Sequence, residues 1–111
     1  MSDRRINELD EAHEDLRRSA RLRIDMAEQY IGEYRSRVRR VQEHFYDFAA
    51  RQGVSEDPAF RDELQRASHI VDENVARAGR GVAELEEEYD QLVRDQSDER
   101  ERYLAQRDHE G

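Results

Sequence analysis

Four histidines are the side chains of this sequence best suited to metal binding or to acid–base chemistry. A di-iron site in a helical bundle needs two Glu-x-x-His units and two further carboxylates that all face inward. Only Asp10 and His13 approach that spacing, whereas His44, His69 and His109 fall at other levels of the helical pattern described below. We therefore interpret the histidines as solvated or interface residues, and we predict no metal site and no cofactor.

Other catalytic groups are also missing from the sequence pattern. The 111 residues include no cysteine, so neither a thiolate nucleophile nor a thiolate metal site can form. Acids are plentiful, but no spacing places two of them in a buried pair. No serine, histidine and aspartate converge on one predicted surface either. We therefore predict that the protein is not an enzyme.

Composition and charge limit the class of protein further. Charged residues make up 42% of the chain and hydrophobic residues 35%, which leaves little material for a globular core. Residues 1–52 carry 11 arginines and 11 acids, whereas residues 53–111 carry 8 arginines and 17 acids and so hold the whole net charge of −9. An acidic half repels phosphate backbones, so we expect no nucleic-acid partner.

The hydropathy of the chain bears on its location. No stretch approaches the roughly 20 apolar residues that a membrane-spanning helix needs. The first residues are polar and lack the apolar segment of a secretory signal peptide. We expect a cytoplasmic protein without a membrane span, which is either retained in the cytoplasm or exported together with a partner.

One segment near the middle of the chain has the composition of a turn, and it contains the only proline, Pro58. Gly53 suits the position just after a helix, Ser55 or Asp57 can cap the next helix, and Pro58 fits a first helical position. The predicted elements are a helix over about residues 3–51, a turn over about 52–57 and a helix over about 58–108.

Apolar residues recur at alternating spacings of three and four in both halves, which predicts a coiled-coil seam. A short turn makes the two helices antiparallel, and pairing Phe48 with Phe60 sets a register in which Leu16 faces Leu92. The predicted fold is thus all-α, a single coiled-coil helical hairpin. The predicted hairpin core consists of Ile31, Val38, Val41, Phe45, Phe48, Phe60, Leu64, Val71, Leu85 and Leu92.

The same register predicts different properties for the two ends of the hairpin. It brings His13, Gln96 and Glu99 together, so the end that carries the chain termini should be polar and should fray. Stability should concentrate near the turn, where most of the large apolar seam residues lie. A run of arginines within residues 35–40 has two interpretations, contact with an acidic or phosphate-bearing partner or ion pairs with Asp72 and Glu73, and we favour the ion pairs.

A second set of residues lies outside the seam and predicts a partner-binding surface. A two-helix hairpin buries only a narrow seam, so further apolar residues stay exposed in a monomer unless another helix covers them. Three glycines that the register brings to one level are either a tolerated kink or a place where another helix approaches closely. The predicted partner-binding residues are Leu22, Met26, Tyr30, Gly32, Tyr46, Ile70, Gly79 and Gly81.

The chain resembles the small helical-hairpin partner proteins encoded beside LXG toxins of bacterial type VII secretion systems, which are distant relatives of the Trp-x-Gly hairpin proteins. The resemblance covers nearly the whole chain: its length, an aromatic run before the turn over residues 44–48, and a charged second helix that ends in Glu/Arg/Tyr-rich sequence. Two features depart from the pattern. Arg51 stands where a Trp-x-Gly turn has tryptophan, and neither Tyr89 nor Tyr103 is followed four residues later by an acid.

The resemblance implies a function. Such a protein is an adaptor or chaperone that binds the N-terminal helical domain of its cognate toxin, with a second small helical protein as a further candidate partner, and targets the toxin for secretion. Because the tail signal is missing here, the toxin or another subunit would supply it. The alternative expectation is a homodimeric coiled coil with a structural or scaffold role.

Overall fold

The computed structural model describes residues 3–110, and these residues are all-α. Helix α1 spans Asp3–Gln52 and helix α2 spans Pro58–Glu110, with no strand in the described chain. The fold prediction is confirmed, because the two long helices run antiparallel as a hairpin. Helix α1 ends at Gln52 rather than near residue 51, and α2 remains helical to Glu110 rather than to about residue 108.

The end of α1 has the hydrogen bonds of a Schellman motif. Gly53 N–H donates to the carbonyl of Ala50 at 3.2 Å, and Val54 N–H donates to the carbonyl of Ala49 at 2.9 Å. Gly53 adopts φ +70°, a left-handed conformation that costs residues with a Cβ about 1–2 kcal/mol. Glycine at this position therefore ends the helix where the sequence predicted.

The start of α2 is capped by a carboxylate. Asp57 Oδ1 accepts hydrogen bonds from the backbone N–H groups of Ala59 at 2.8 Å and Phe60 at 3.4 Å. Of the two cap candidates, Asp57 therefore acts as the N-cap. Ser55 instead contributes its carbonyl oxygen, which accepts a hydrogen bond from Arg61 Nε at 3.3 Å.

Replacing Asp57 with alanine is expected to lower the free energy of unfolding by about 1 kcal/mol, because two N–H groups of α2 lose their acceptor. Urea denaturation followed by circular dichroism measures the change. Asp62→Ala is the matched control, since Asp62 is an exposed acid one turn further along α2. Its expected effect lies within about 0.5 kcal/mol. Equal losses in the two variants would show that charge, rather than capping, causes the effect.

Contacts between the helices divide the chain into two compact units. The terminal unit combines Met1–Met26 with Val82–Gly111, and the turn unit is Ala27–Gly81. Among the described residues of the turn unit, only Ala49 is buried. The buried residues of the terminal unit are Ile6, His13, Ala20, Ile24 and Gln96.

This distribution of buried residues differs from what the expectation of a more stable turn end would suggest. The terminal unit buries three apolar side chains, and Ile24 is only 2% exposed. The turn unit contains larger seam residues, but three of them on α1, Val41, Phe45 and Phe48, are more than half exposed. We therefore expect burial of apolar surface to stabilise the terminal unit at least as much as the turn unit.

The polar end predicted from the register is present in the terminal unit. Gln96 Nε2 donates to the carbonyl of His13 at 3.0 Å, and Arg17 Nη1 donates to Gln96 Oε1 at 2.8 Å. His13 Nε2 lies 3.4 Å from Glu99 Oε2. Within residues 3–110, every buried side-chain nitrogen and oxygen has a hydrogen-bond partner. These contacts therefore join the two helices without leaving a buried polar side-chain group unsatisfied in the described chain.

An ion pair that sequence analysis did not predict also joins the helices of the terminal unit. Arg100 Nε lies 2.8 Å from Asp10 Oδ1, and Arg100 Nη2 lies 3.3 Å from Oδ2. The hydrogen bond from Arg100 lowers the pKa of Asp10 below its ordinary value of 3.8. The carboxylate therefore stays charged at lower pH in the folded chain than in the unfolded chain.

The lowered pKa of Asp10 predicts how stability depends on pH. Because the folded pKa is the lower one, the stabilisation is present above pH 3.8 and is lost as the pH falls through the folded pKa. The difference in unfolding free energy between wild type and Asp10→Asn should therefore shrink as the pH is lowered below 3.8 in urea denaturation. Asp98→Asn, at an exposed position, is the control and should show no such trend. A difference that stays constant down to the lowest pH would contradict the ion pair.

Candidate partner-binding surface

A groove with a volume of about 650 Å³ lies between the two helices in the turn unit. Its lining is almost entirely apolar or aromatic, with Arg37, Gln42 and Glu63 as the polar exceptions. Apolar and aromatic surfaces of this kind are typical of sites that take up part of another molecule. The other lining residues are Tyr30, Tyr34, Val38, Val41 and Phe45 from α1 and Phe60, Leu64, Ala67 and Val71 from α2.

Three large residues predicted for the hairpin core are exposed in the turn unit. Val41 is 52% exposed, Phe45 53% and Phe48 56%, so their assignment to a buried core is wrong. In the turn unit, α2 therefore leaves more than half of each of these three side chains uncovered. The remaining predicted core residues are partly buried, and they are Ile31, Val38, Phe60, Leu64, Val71, Leu85 and Leu92.

The dimensions of the groove match a helix. Its α1 wall runs from Tyr30 to Phe45, which corresponds to about 22 Å, or four turns, at 1.5 Å per residue. Amphipathic helices commonly bind in such grooves by inserting residues spaced at i, i+3 or i+4, and i+7. Covering each exposed large side chain would contribute about 1 kcal/mol or more. The groove is therefore long enough for a helix of about 15 residues.

The large apolar residues predicted for partner binding are all exposed, but only one of them lines the groove. Tyr30 lies on the α1 wall. Leu22 and Met26 are exposed on α1 in the terminal unit. Tyr46 and Ile70 are exposed in the turn unit, where each lines a hollow separate from the groove. The sequence pattern therefore identified residues that the hairpin leaves exposed, and apart from Tyr30 these residues lie outside the groove.

The glycines at positions 32, 79 and 81 are exposed and have open space around them. A Cβ built on Gly32, Gly79 or Gly81 meets no atom of the described chain within 4 Å, apart from immediate neighbours and the helix's own backbone. Close packing between α1 and α2 therefore does not explain these glycines. The prediction that another helix approaches them remains a prediction.

Replacing Gly32, Gly79 or Gly81 with alanine is expected to raise the free energy of unfolding by about 0.5–1 kcal/mol each, because alanine favours the helix and meets no obstacle. Thermal and urea denaturation measure the effect. Gly53→Ala is the control, and it should have the opposite sign because of the positive φ at that residue. A loss of stability at any of the three helical positions would show that its surroundings are occupied in the isolated chain.

The arginines within residues 35–40 do not form the predicted ion pairs. None of these four side chains pairs with an acid in the part of the chain that the structure describes, and Glu73 instead lies 3.1 Å from His69 on α2. Arg35 and Arg39 line a hollow that also contains Asp72, whereas Arg37 lines the apolar groove. Successive helical residues are 100° apart, so neighbours in the sequence lie on different faces. Arg35 and Arg39 therefore lie on a different surface from Arg37.

The described residues show neither a metal site nor a membrane span. Over residues 3–110, no three His, Cys, Asp or Glu side chains come close enough together to hold a metal ion. Neither α1 nor α2 contains a segment long and apolar enough to cross a membrane. Comparisons with protein-family models, with curated proteins and with solved structures found no match.

Proposed function

We propose that this chain is a non-enzymatic adaptor that binds another helical protein by taking one of the partner's helices into the apolar groove. The observation that supports this most is the exposure of Val41 and Phe45, which follow the spacing of core residues but lack a covering helix. Large contiguous apolar surfaces on a small protein mark interaction sites, since water disfavours them.

For the partner, we propose the N-terminal helical domain of a cognate LXG-type toxin, with a second small helical protein as an additional subunit. The resemblance described above supports this choice, and the aromatic run over residues 44–48 that contributes to it includes the groove residue Phe45. The adaptor covers apolar faces of the toxin's helices in the cytoplasm and targets the complex for type VII secretion. Export of the adaptor together with the toxin is part of this proposal.

Co-expression with the product of the neighbouring gene tests this function. We expect the two proteins to co-purify, and we expect the complex to melt at a higher temperature than the isolated chain, because a partner that binds only the folded state stabilises it. An adjacent LXG-type protein that neither co-purifies with the chain nor raises its melting temperature would contradict the proposal.

A homodimeric scaffold is the competing function, since the groove of one copy can also pack against a second copy to form a four-helix bundle. Light scattering on the isolated chain distinguishes the two functions. We expect a monomer at micromolar concentration that assembles only with its partner. A stable dimer that unfolds in one cooperative, concentration-dependent transition would favour the scaffold.

A further inference from the structure

We propose that the groove selects an acidic partner helix, one that places carboxylates beside Arg37 while its apolar face covers the groove. This inference rests on the proposed function and adds the chemistry of the partner. It is based on the charged side chains that line the groove and on the ion pairs that these side chains form within the chain.

The two charged residues that line the groove differ in whether they have an ion-pair partner. Glu63 already forms an ion pair with Arg66, one turn along α2. Arg37 has no ion pair and no side-chain hydrogen bond in the described chain. An incoming helix therefore meets one compensated negative charge and one uncompensated positive charge.

The position of Arg37 makes this difference important for recognition. Arg37 follows Tyr34 by three residues and precedes Val41 by four, so it shares a helix face with two apolar lining residues. A helix seated on that apolar surface would exclude water next to the guanidinium. Exclusion of water strengthens attraction to a carboxylate and repulsion from a base. A carboxylate can also accept two parallel hydrogen bonds from arginine.

The partner that the apolar lining and Arg37 together predict is an amphipathic helix of about 15 residues. Its apolar residues recur at i, i+3 or i+4, i+7 and i+11, and glutamate or aspartate lies along the edge next to Arg37. Nucleic acid fits the surface less well, because the groove offers a single arginine among mostly apolar side chains, whereas a strand of phosphates needs several basic contacts.

Fluorescence polarisation with two labelled synthetic peptides of 16 residues tests this inference on the full chain. The peptides share one leucine stripe and differ only at the edge positions, which are glutamate in one and arginine in the other. The acidic peptide should bind about fivefold more tightly at low salt, and the preference should shrink at high salt. Arg37→Glu should reverse the preference. Arg35→Glu makes the same charge change outside the groove and should keep it.

Several results would overturn the inference. Equal affinity of the two peptides, a preference that Arg37→Glu leaves unchanged, or binding of neither peptide would each do so. Binding of a labelled single-stranded oligonucleotide that is lost in Arg37→Glu would show a nucleic-acid partner instead, and a dimer disrupted by the same substitution would show a second copy. If the peptides bind equally while the co-expressed helical protein still co-purifies, the adaptor function stands and only the acidic preference fails.

Discussion

Replacing Phe45 with glutamate is expected to weaken partner binding at least about 30-fold while leaving the helicity of the isolated chain unchanged. Phe45 is 53% exposed in the groove, so the isolated hairpin gains little from its burial. In the complex the aromatic ring would be covered, and a carboxylate in its place would lie in an apolar contact without a partner. Loss of a central aromatic contact typically costs about 2 kcal/mol or more, which corresponds to this factor.

Titration calorimetry with the co-purified partner measures the affinity, and circular dichroism checks the helices. Tyr46→Glu is the matched control, because Tyr46 is the adjacent aromatic residue and is equally exposed at 53%, but it lies outside the groove. We expect this variant to bind normally. If Tyr46→Glu or Met26→Glu abolished binding while Phe45→Glu did not, the partner would bind another face of the hairpin.

The second large effect is expected on stability. Ile24→Ala should lower the free energy of unfolding by about 3 kcal/mol, because Ile24 is 2% exposed and its removal leaves a cavity in the terminal unit. A small domain has a total stability of only about 5–15 kcal/mol, so this loss is severe. Phe48→Ala removes a larger side chain but should cost about 1 kcal/mol or less, since Phe48 is 56% exposed.

Urea denaturation of the two variants under the same conditions provides the comparison. Comparing the losses of unfolding free energy in the two variants shows whether apolar burial stabilises the isolated chain more at Ile24 or at Phe48. A loss in Phe48→Ala as large as that in Ile24→Ala would contradict the exposure of Phe48 and would return this residue to the predicted core near the turn.

The elements of this fold were predictable from sequence because local chemistry determines them. A glycine that follows a helix, a carboxylate that precedes the next helix and a proline in its first turn act over only a few residues. The antiparallel register follows once these boundaries are set. It brings Tyr34 near Asn74, and Asn74 Nδ2 donates to Tyr34 Oη at 3.1 Å.

The surface was harder to predict because seam spacing does not show how many helices cover a residue. Val41 and Phe45 have the spacing of a buried seam, but with two helices they line an open groove. The apolar residues of α1 that lie outside the seam, such as Met26 and Tyr30, were a usable signal, since a two-helix hairpin buries only a narrow stripe. The ion pair of Asp10 with Arg100 had no local signal, because it joins residues from opposite ends of the sequence.

Amide hydrogen exchange of the isolated chain and of its complex tests the central claim most directly, because it locates the covered surface residue by residue. We predict that partner binding slows exchange over residues 30–45 and 60–71, which form the groove walls, and leaves residues around Ile24 and Gln96 unchanged. Slowed exchange confined to the segment around Leu22 and Met26, or no change in the groove walls, would contradict the account.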